Sequence, residues 1–393
     1  MDQRVVFLLS LAAFTSAASL RATDPLLALI AGEFGVTAGT AGAVITGFAL
    51  AYGVFQLAHG PIGDRFGKFR IITVMTAVSA VATFGCALAP TLGTLTLMRF
   101  LAGVTVGAII PLAMAWIGDT VAYEQRQATI ARFMIGQMLG GAAGVSLSGA
   151  LAAWFGWRAI FIVLGMLFIV IAALLVRELR RNEHLQRDGD RSVTIANAVR
   201  RMAGLLLRPW ARVILLVVAI ECALSMGVFA YVAWDLQHRH GVSLALSGFW
   251  IVAYPAGGLL YAMFSAPLVA HLGEQGLALA GGLLIGAGYL CLLLAPAALV
   301  VLPGLLAVGI GFAMLHNTLQ VNATQMAPEA RGAAVSLFAF CLFTSQSAGI
   351  AVVGRVIDAA GIWPAYLAAA IGLPLLALEF RRRLRHKAPG SAA

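Results

Sequence analysis

Charged side chains are scarce in this chain. Asp, Glu, Lys and Arg make up 11% of its 393 residues, whereas apolar residues make up 61%. Soluble domains are about one quarter charged, so this composition excludes a chain that folds mainly in water. The mean hydropathy of +0.94 indicates that lipid and neighbouring helices surround most of the polypeptide.

Cysteine is rare, and nucleotide-binding motifs are missing. The four cysteines lie within apolar runs and lack the spacing of a metal site, so we expect them to pack as small apolar side chains. They are Cys86, Cys222, Cys291 and Cys341. No Walker-type Gly-Lys-Ser/Thr motif is present, which argues against direct use of ATP.

Long apolar runs predict an all-α integral membrane protein. Runs of about 17–25 residues suit helices that cross the hydrocarbon core. Twelve such runs lie near residues 5–30, 40–59, 71–89, 93–116, 128–152, 159–176, 212–235, 247–270, 276–295, 298–322, 332–355 and 362–380. The first run also has features of a secretory signal, with Arg4 before it and Ser16-Ala17-Ala18-Ser19 within it. Cleavage there would leave eleven spans and halves of unequal size.

The net charge of +10 indicates membrane orientation and not nucleic-acid binding. Most of the 26 Lys and Arg residues fall in alternate connections between runs and at the two ends of the chain, and nine arginines lie between Arg177 and Arg212. By the positive-inside rule these segments face the cytoplasm. We therefore expect a multi-pass protein of the cell inner membrane with both termini in the cytoplasm.

The second half of the chain repeats the first at an offset of about 205 residues. Ala122–Arg126 matches Ala327–Arg331, and Gly149 matches Gly354. The repeat predicts an N-terminal six-helix bundle at 1–180, a cytoplasmic linker at 181–210, and a C-terminal six-helix bundle with a basic tail at 211–393. Part of the linker, around 192–207, has the pattern of a short amphipathic helix on the membrane surface.

A compact charge cluster separates the second and third runs. The sequence Gly60-Pro61-Ile62-Gly63-Asp64-Arg65-Phe66-Gly67-Lys68-Phe69-Arg70 carries four charges between two apolar runs. Charges cannot lie in hydrocarbon, so we expect a turn at a membrane face. The segment resembles the loop between the second and third helices of major facilitator superfamily (MFS) transporters.

That resemblance implies two pseudo-symmetric six-helix bundles that rock against each other in alternating access. It also implies that the loop latches the bundles on the cytoplasmic side, with Asp64 accepting hydrogen bonds from a helix start near Arg331. The residues of this predicted latch are Gly60, Asp64, Arg65, Gly67, Arg70, Arg126 and Arg331. The alternative is a solvated turn whose charges only set topology. Ala270 stands where the second half would carry the acid, which favours a single strong latch.

Two clusters in the N-terminal half resemble motifs of the superfamily. Arg99 with its glycines resembles the fourth-helix motif of proton-coupled members, and Asp24-Pro25 resembles the first-helix signature of twelve-helix efflux members. Arg99, followed by Gly103 and Gly107, lies within the fourth run, where an arginine needs a polar cavity or a partner. Arg21 and Asp24 lie toward the outer end of the first run. The alternatives are a buried structural pair for Arg99, and mutual neutralisation of Arg21 and Asp24.

Glu221 is the first candidate for proton coupling, together with Asp24 and Arg99. It lies about ten residues into the seventh run, and an ionised glutamate without a partner would be very costly there. The alternative is a protonated glutamate that only hydrogen-bonds a neighbouring helix. Asp235, at the outer end of the same run, is interpreted as a solvated helix end.

Polar residues within the runs are candidates for the substrate cavity, with helix-bridging hydrogen bonds as the alternative for each. His316, Asn317 and Gln320 form one cluster in the tenth run. The other candidates are Arg21, Tyr52, Gln56, Gln137, Tyr254, Ser345 and Gln346.

These features predict a secondary transporter that moves a small organic solute, with proton-coupled efflux as the leading hypothesis. No cofactor is expected beyond the proton gradient, and the partners expected are the solute and the lipid bilayer, with the protein a monomer. Gly141 stands where many twelve-helix antiporters carry a proline, so the fifth run lacks the specific antiporter signature. Uptake of an organic anion by symport or facilitated diffusion is the alternative. A membrane enzyme built on His238-Arg239-His240, or a sensor, is the remaining alternative.

Overall fold

The fold, a computed structural model, is described for residues 3–186, 189 and 194–386. Part of the predicted linker and the end of the basic tail lie outside the described residues. Eleven helical stretches within the described residues are long and apolar enough to cross a membrane. One of them, Leu244–Leu294, contains 51 residues and forms two spans, so the prediction of twelve helices in two bundles is confirmed.

The N-terminal bundle holds spans 1 to 6. Its helices are α1 (Gln3–Arg21), α2 (Leu27–Phe34), α3 (Ala38–Ala41), α4 (Ala43–Phe66), α5 (Lys68–Ala87), α6 (Leu92–Val106), α7 (Ile109–Thr120), α8 (Tyr123–Phe155) and α9 (Arg158–Arg181). Spans 1, 2 and 4 are each made of two consecutive helices. The break in span 1 contains Pro25, which has no N–H to donate and so interrupts the helical ladder.

A linker helix and the C-terminal bundle follow. The linker contains α10 (Ile195–Leu205); spans 7 to 12 are built from α11 (Pro209–Phe229), α12 (Val232–His238), α13 (Leu244–Trp250), α14 (Ala253–Leu294), α15 (Val301–Gln325), α16 (Arg331–Ala360) and α17 (Trp363–Arg385). α14 is 42 residues long, about 60 Å at the helical rise, which is twice the thickness of a hydrocarbon core. Its non-helical residue Gly273 (φ 59°) separates spans 8 and 9.

Glycines with positive φ mark the ends of spans and repeat between the halves. A residue with a Cβ would be strained at these angles, so glycine is required where the chain reverses this sharply. Among the described residues they form three pairs at nearly the same offset: Gly35 with Gly241, Gly67 with Gly273, and Gly156 with Gly361. The sequence repeat predicts the last two pairs; the first pair is an additional match of the two bundles.

The connections between spans lie on two faces of the molecule. The linker face carries Gly67, residues 121–122, the described linker residues 182–186 and 194–208, Gly273 and residues 326–330. The opposite face carries residues 35–37, 88–91, 156–157, 239–243, 295–297 and 361–362.

The charge cluster at 60–70 is part of a helix and not a loop. α4 continues through Pro61 to Phe66, and α5 begins at Lys68, so Gly67 alone (φ 90°) makes the turn. The prediction that span 2 ends at residue 59 is therefore wrong by about two turns. The charged residues extend the helix beyond the hydrocarbon, where water can solvate them.

Within the N-terminal bundle, α1 and α8 approach closely through a ladder of glycines. A Cβ built on Gly136, Gly140 or Gly144 would lie 2.1–2.7 Å from backbone oxygens of α1. Small residues allow this close approach, which maximises dispersion contacts between helices in lipid. Gly141, at the position of the missing proline, faces open space.

The two bundles meet most closely near the opposite face. The carboxylate of Asp358, at the end of α16, accepts hydrogen bonds from Thr37 Oγ1 at 2.6 Å and from Gly39 N at 3.0 Å. Gly39 and Gly354 are in backbone contact there, and so are Gly149 of α8 and Gly248 of α13. Asp358 thus caps the start of α3 from the other bundle.

The linker helix packs on the protein. The apolar face of α10 contacts α4 and α16, one from each bundle, and Met202 and Leu205 are buried. The expectation that this segment lies on the membrane surface is therefore corrected for its central part.

The structure also corrects the interpretation of Asp235 as a solvated helix end. Only 3% exposed, it accepts hydrogen bonds from Arg239 Nη2 at 2.9 Å and Tyr366 Oη at 3.0 Å. It is therefore a buried link between α12 and α17 and not a solvated helix end.

Candidate functional site

The break in span 1 places two charged side chains, Arg21 and Asp24, inside the protein. α1 ends at Arg21, and a short 3₁₀ turn begins at Asp24. Asp24 is 1% exposed and is in ion-pair contact with Arg21, Nη1 to Oδ2, at 3.3 Å. This contact matches the alternative in which the two charges neutralise one another, although the second carboxylate oxygen of Asp24 has no hydrogen-bond partner in the described residues.

Arg99 forms hydrogen bonds with the broken segment of span 1. Its guanidinium is buried and donates to Ser19 O at 3.0 Å and to Thr23 Oγ1 at 3.3 Å, and it lies 4.0 Å from the ring centroid of Phe48. The break frees Ser19 O from the helical ladder, and Arg99 satisfies it. These contacts favour a structural role for Arg99 in shaping span 1.

Arg21 reaches across to the C-terminal bundle. Its Nη2 lies 3.2 Å from Met226 Sδ, and its guanidinium lies 5.1 Å from the ring centroid of Phe229. The Arg21 side chain is 19% exposed, whereas that of Asp24 is 1% exposed. Arg21 is therefore the charged side chain of this group that a solute can reach.

Glu221 is paired with His316 across spans 7 and 10. Glu221 is fully buried, and its Oε2 lies 2.9 Å from His316 Nδ1. The other carboxylate oxygen has no hydrogen-bond partner in the described part of the chain. The His316 side chain is 14% exposed and stacks on Phe312, with ring centroids 4.8 Å apart. The two residues, separate candidates in the sequence, form one carboxylate–imidazole pair.

A series of aromatic rings connects the Arg21 group with the Glu221–His316 pair. The ring centroids of Phe229 and Tyr254 are 4.4 Å apart, and those of Tyr254 and Phe312 are 6.0 Å apart. Sequence reasoning missed Phe229 and Phe312, because an aromatic residue in an apolar run looks like any core residue. The signal that could have pointed to this region is Pro25, because a proline interrupts a helix and broken helices mark binding sites in transporters.

A cavity of about 440 Å³ extends toward the linker face between α1 and α8. Its lining includes Phe7 and Phe14, which lie fourteen and seven residues before Arg21. Seven residues are close to two helical turns, so these side chains share one face of α1 with Arg21. Arg132 lies at the linker-face end of this largely apolar lining.

The remaining cavity candidates lie apart from this centre or bind other helices. Gln56 donates to Gly107 O at 2.9 Å, and the Tyr52 ring lies 4.2 Å from that of Phe343 across the bundles. Asn317 bonds with Tyr261 of α14, while Gln320 is exposed. Gln346 is buried, and Gln137 is partly buried on α8.

The predicted latch residues form contacts within their own bundle. Lys68 Nζ lies 2.5 Å from Asp64 Oδ1 and 2.7 Å from Asp119 Oδ2, linking α4, α5 and α7. Arg65 packs on Phe66, and Arg126 donates to Val121 O at 3.3 Å. The contact expected between Asp64 and the helix start at Arg331 is therefore not made in this conformation. The remaining latch residues, Gly60, Gly67 and Arg70, lie at the linker-face ends of α4 and α5.

The cluster His238-Arg239-His240 does not form a convergent reactive site. His238 stacks on Trp234, and Arg239 donates to Leu292 O and to Asp235. Burial and the neighbouring Arg239 lower the pKa of His240 below its usual range, so it is neutral near pH 7.

Comparisons with known proteins agree with this geometry. The MFS-type transporter YceJ of Bacillus subtilis (strain 168) is 26% identical over 344 residues, which is 84% of this chain and 83% of the relative. The 4-hydroxybenzoate transporter PcaK of Acinetobacter baylyi (strain ATCC 33305 / BD413 / ADP1) is 27% identical over 147 residues, 37% of this chain and 32% of the relative.

Solved structures show the same fold at low sequence identity. A POT family transporter in complex with a thioalcohol-conjugated peptide aligns with a TM-score of 0.81 and 13% identity, covering 97% of this chain and 96% of the other. A POT family transporter in complex with 5-aminolevulinic acid aligns with a TM-score of 0.79 and 13% identity, covering 96% and 94%.

The family assignment follows from the sequence match. The family model described as Major Facilitator Superfamily matches residues 9–350, most of the chain. Both the family and the similar proteins are transporters and not enzymes. This chain therefore belongs to the Major Facilitator Superfamily and is a multi-pass membrane transporter.

Proposed function

We propose that this protein couples proton movement to the transport of a small organic solute, with the Glu221–His316 pair as the proton site. The observation that carries the proposal is the 2.9 Å contact between a fully buried carboxylate and a partly exposed imidazole on different spans. Proton gain or loss by this pair changes the charge at the centre of the molecule, where an uncompensated charge costs several kcal/mol.

The exposed edge of His316 gives the pair its route to water. Glu221 itself is sealed, so protons exchange through the imidazole, which can take up a proton on one nitrogen and release one from the other. When the bundles rock, the same edge faces the other compartment. Asp24 is the second proton candidate, but its contact with Arg21 favours a charged, structural carboxylate.

The linker face is assigned to the cytoplasm on the basis of its arginines. The tight contacts near the opposite face then close the outer side, and the cavity between α1 and α8 opens inward. The cytoplasmic latch operates in the reverse conformation, when Asp64 and its neighbours reach the second bundle. A fluorescent-protein fusion at the C-terminus tests the orientation: fluorescence in cells is expected, and a fusion that is dark but translocated would reverse the assignment.

Efflux by proton antiport is the direction that we propose, and the resemblance of Asp24-Pro25 to twelve-helix efflux members favours it. We further propose that the protein works in the inner membrane as a monomer without a bound cofactor. Symport or facilitated uptake of an organic anion is the second candidate. It is supported by the two arginines, Arg21 and Arg99, that face the single carboxylate of Asp24. One relative, named for 4-hydroxybenzoate transport, is consistent with an organic-acid substrate.

The test begins with a thermal-shift ligand screen and continues in vesicles that enclose a pH-sensitive dye. Addition of a hit should move protons in wild type, whereas Glu221→Gln should retain counterflow of the labelled hit and lose proton movement. Glu178→Gln is the matched control, because Glu178 is buried but contacts Arg4 at 3.3 Å, far along the chain from the pair. Proton movement that persists in Glu221→Gln would contradict the assignment. The sign of the dye response separates antiport from symport.

A further inference from the structure

Two hydrogen-bond donors from opposite bundles converge on one sulfur atom. Arg21 Nη2 lies 3.2 Å from Met226 Sδ, and Tyr254 Oη lies 3.8 Å from the same sulfur. A thioether is a weak acceptor, whereas a guanidinium and a phenol bind carboxylate oxygens strongly. The sulfur therefore occupies a point where an anionic oxygen would be held better.

Asp24, the other acceptor beside Arg21, leaves hydrogen-bonding capacity of these donors unused. Asp24 offers Arg21 a single contact at 3.3 Å, so the planar fork of the guanidinium is not used in the paired geometry that carboxylates favour. Tyr254 is part-buried and directs its hydroxyl at the sulfur. The Arg21 side chain is 19% exposed and lies seven residues beyond Phe14, on the face of α1 that lines the cavity.

Aromatic rings surround this point on two sides. Phe229 lies 5.1 Å from the Arg21 guanidinium and 4.4 Å from the Tyr254 ring, and Phe312 lies 6.0 Å from Tyr254 on the side of His316. These separations are in the range at which rings attract one another in offset or tilted arrangements. The surroundings suit a flat, apolar body attached to the anionic group.

The charge balance also favours an anion when Glu221 is protonated. Arg21 and Arg99 face one carboxylate, Asp24, which leaves one positive charge uncompensated near the span 1 break. The groups that face Glu221 from the neighbouring elements are His316 and Tyr254, with Cys222 beside it on α11, and Arg21 faces Tyr254 and Cys222 in turn. When Glu221 is protonated and His316 neutral, none of them supplies a negative charge, so a bound anion restores neutrality.

We propose that the site between Arg21 and Tyr254 binds the carboxylate of an aromatic monocarboxylate, which displaces the Met226 sulfur and places its ring against Phe229 and Phe312. The inference deepens the proposed function, on which it rests for the assumption that this cavity is the solute pathway. Arg21 supplies the charge, Tyr254 the second hydrogen bond, and the rings select a flat body.

The test uses the purified full-length protein in detergent, with phenylacetate, 3-phenylpropionate and phenylacetamide as probes in calorimetric titrations. The carboxylates should bind, and phenylacetamide should bind at least about tenfold more weakly, because a hydrogen bond to a charged group is worth more than one to a neutral group. Arg21→Lys and Tyr254→Phe should each weaken phenylacetate binding about tenfold or more. Met226→Leu removes the thioether sulfur at similar volume. This variant should bind phenylacetate as tightly as wild type or more tightly.

Equal affinity for phenylacetate and phenylacetamide, or no binding of either carboxylate, would overturn the inference. So would wild-type affinity in Tyr254→Phe, a variant that keeps the ring and is expected to fold. Binding in detergent needs no gradient, so its outcome is independent of proton coupling. Phenylacetate binding without proton movement in vesicles would defeat the proposed function alone, and proton movement driven by a cationic solute would defeat the inference alone.

Discussion

At the residue scale, candidate residues of the central site were predictable from the sequence, but which of them contact each other was not. Hydropathy places Glu221 and His316 in apolar runs, and the cost of a buried charge identifies both as functional candidates. Their contact depends on how span 7 faces span 10, which no motif in either run encodes. The same reason hides Met226 and Phe312, whose roles come entirely from what lies opposite them.

Replacing His316 tests whether the imidazole carries the proton or only orients Glu221. His316→Gln retains a donor that can reach the carboxylate at the present 2.9 Å contact but cannot be protonated near neutral pH. We expect counterflow of a labelled solute to stay within a few-fold of wild type while proton-driven accumulation falls at least about tenfold. Gln325→Ala, an exposed change on the same helix, is the control. Wild-type accumulation in His316→Gln would assign the imidazole a purely structural role.

Arg99 is expected to stabilise the break in span 1. Arg99→Leu leaves Ser19 O and Thr23 Oγ1 without their partner and removes the contact with Phe48. A buried acceptor left unsatisfied costs about 1–3 kcal/mol, so the thermal unfolding midpoint should fall. Arg158→Leu, at an exposed ion pair with Glu33, should change it less. An unchanged midpoint for Arg99→Leu would show that the freed carbonyl finds another donor.

At the element scale, the spans themselves follow from composition, because an apolar helix of about 20 residues matches the hydrocarbon core of a bilayer. Their ends were less predictable. Charges at Asp64 and Arg65 suggested a loop, yet the helix continues to Phe66, since a helix can extend beyond the hydrocarbon into water that solvates its charged side chains. The turn is fixed by Gly67, the residue that can adopt φ 90° without strain.

The glycine ladder of α8 offers a matched pair of neighbouring substitutions. A Cβ on Gly140 would lie 2.1 Å from Phe14 O, whereas Gly141 has no neighbour within 4 Å. Gly140→Ala should therefore separate α1 from α8 and lower stability by about 1–3 kcal/mol, as overpacking does. Gly141→Ala should leave stability unchanged or slightly raised, because alanine is the better helix former. Thermal unfolding in detergent measures both, and equal midpoints would contradict the close packing.

At the scale of the whole molecule, the fold was predictable and the conformation was not. The repeat between Gly149 and Gly354 and the loop motif identify two bundles, but they are the same in every state of an alternating transporter. Which face is closed depends on small differences between contacts at the two ends. Here Asp358 holds the opposite face, while the acid of the predicted latch, Asp64, pairs with Lys68.

Asp358→Asn is therefore expected to release the closed face. Asparagine fits the same space but weakens a charge-assisted cap on the start of α3, which costs about 1 kcal/mol and shifts a two-state equilibrium roughly five- to tenfold. Distances between spin labels on the ends of α2 and α12, measured by pulsed electron resonance, should then show a larger population with the opposite face open. Asp64→Asn is the mirror-image control: its carboxylate is engaged with Lys68 here, and we propose that it contacts the second bundle only in the reverse conformation, so the same labels should report no gain in opening. An Asp358→Asn protein whose distance distribution matches wild type would mean that backbone packing of Gly39 against Gly354, and not the carboxylate, keeps the bundles together.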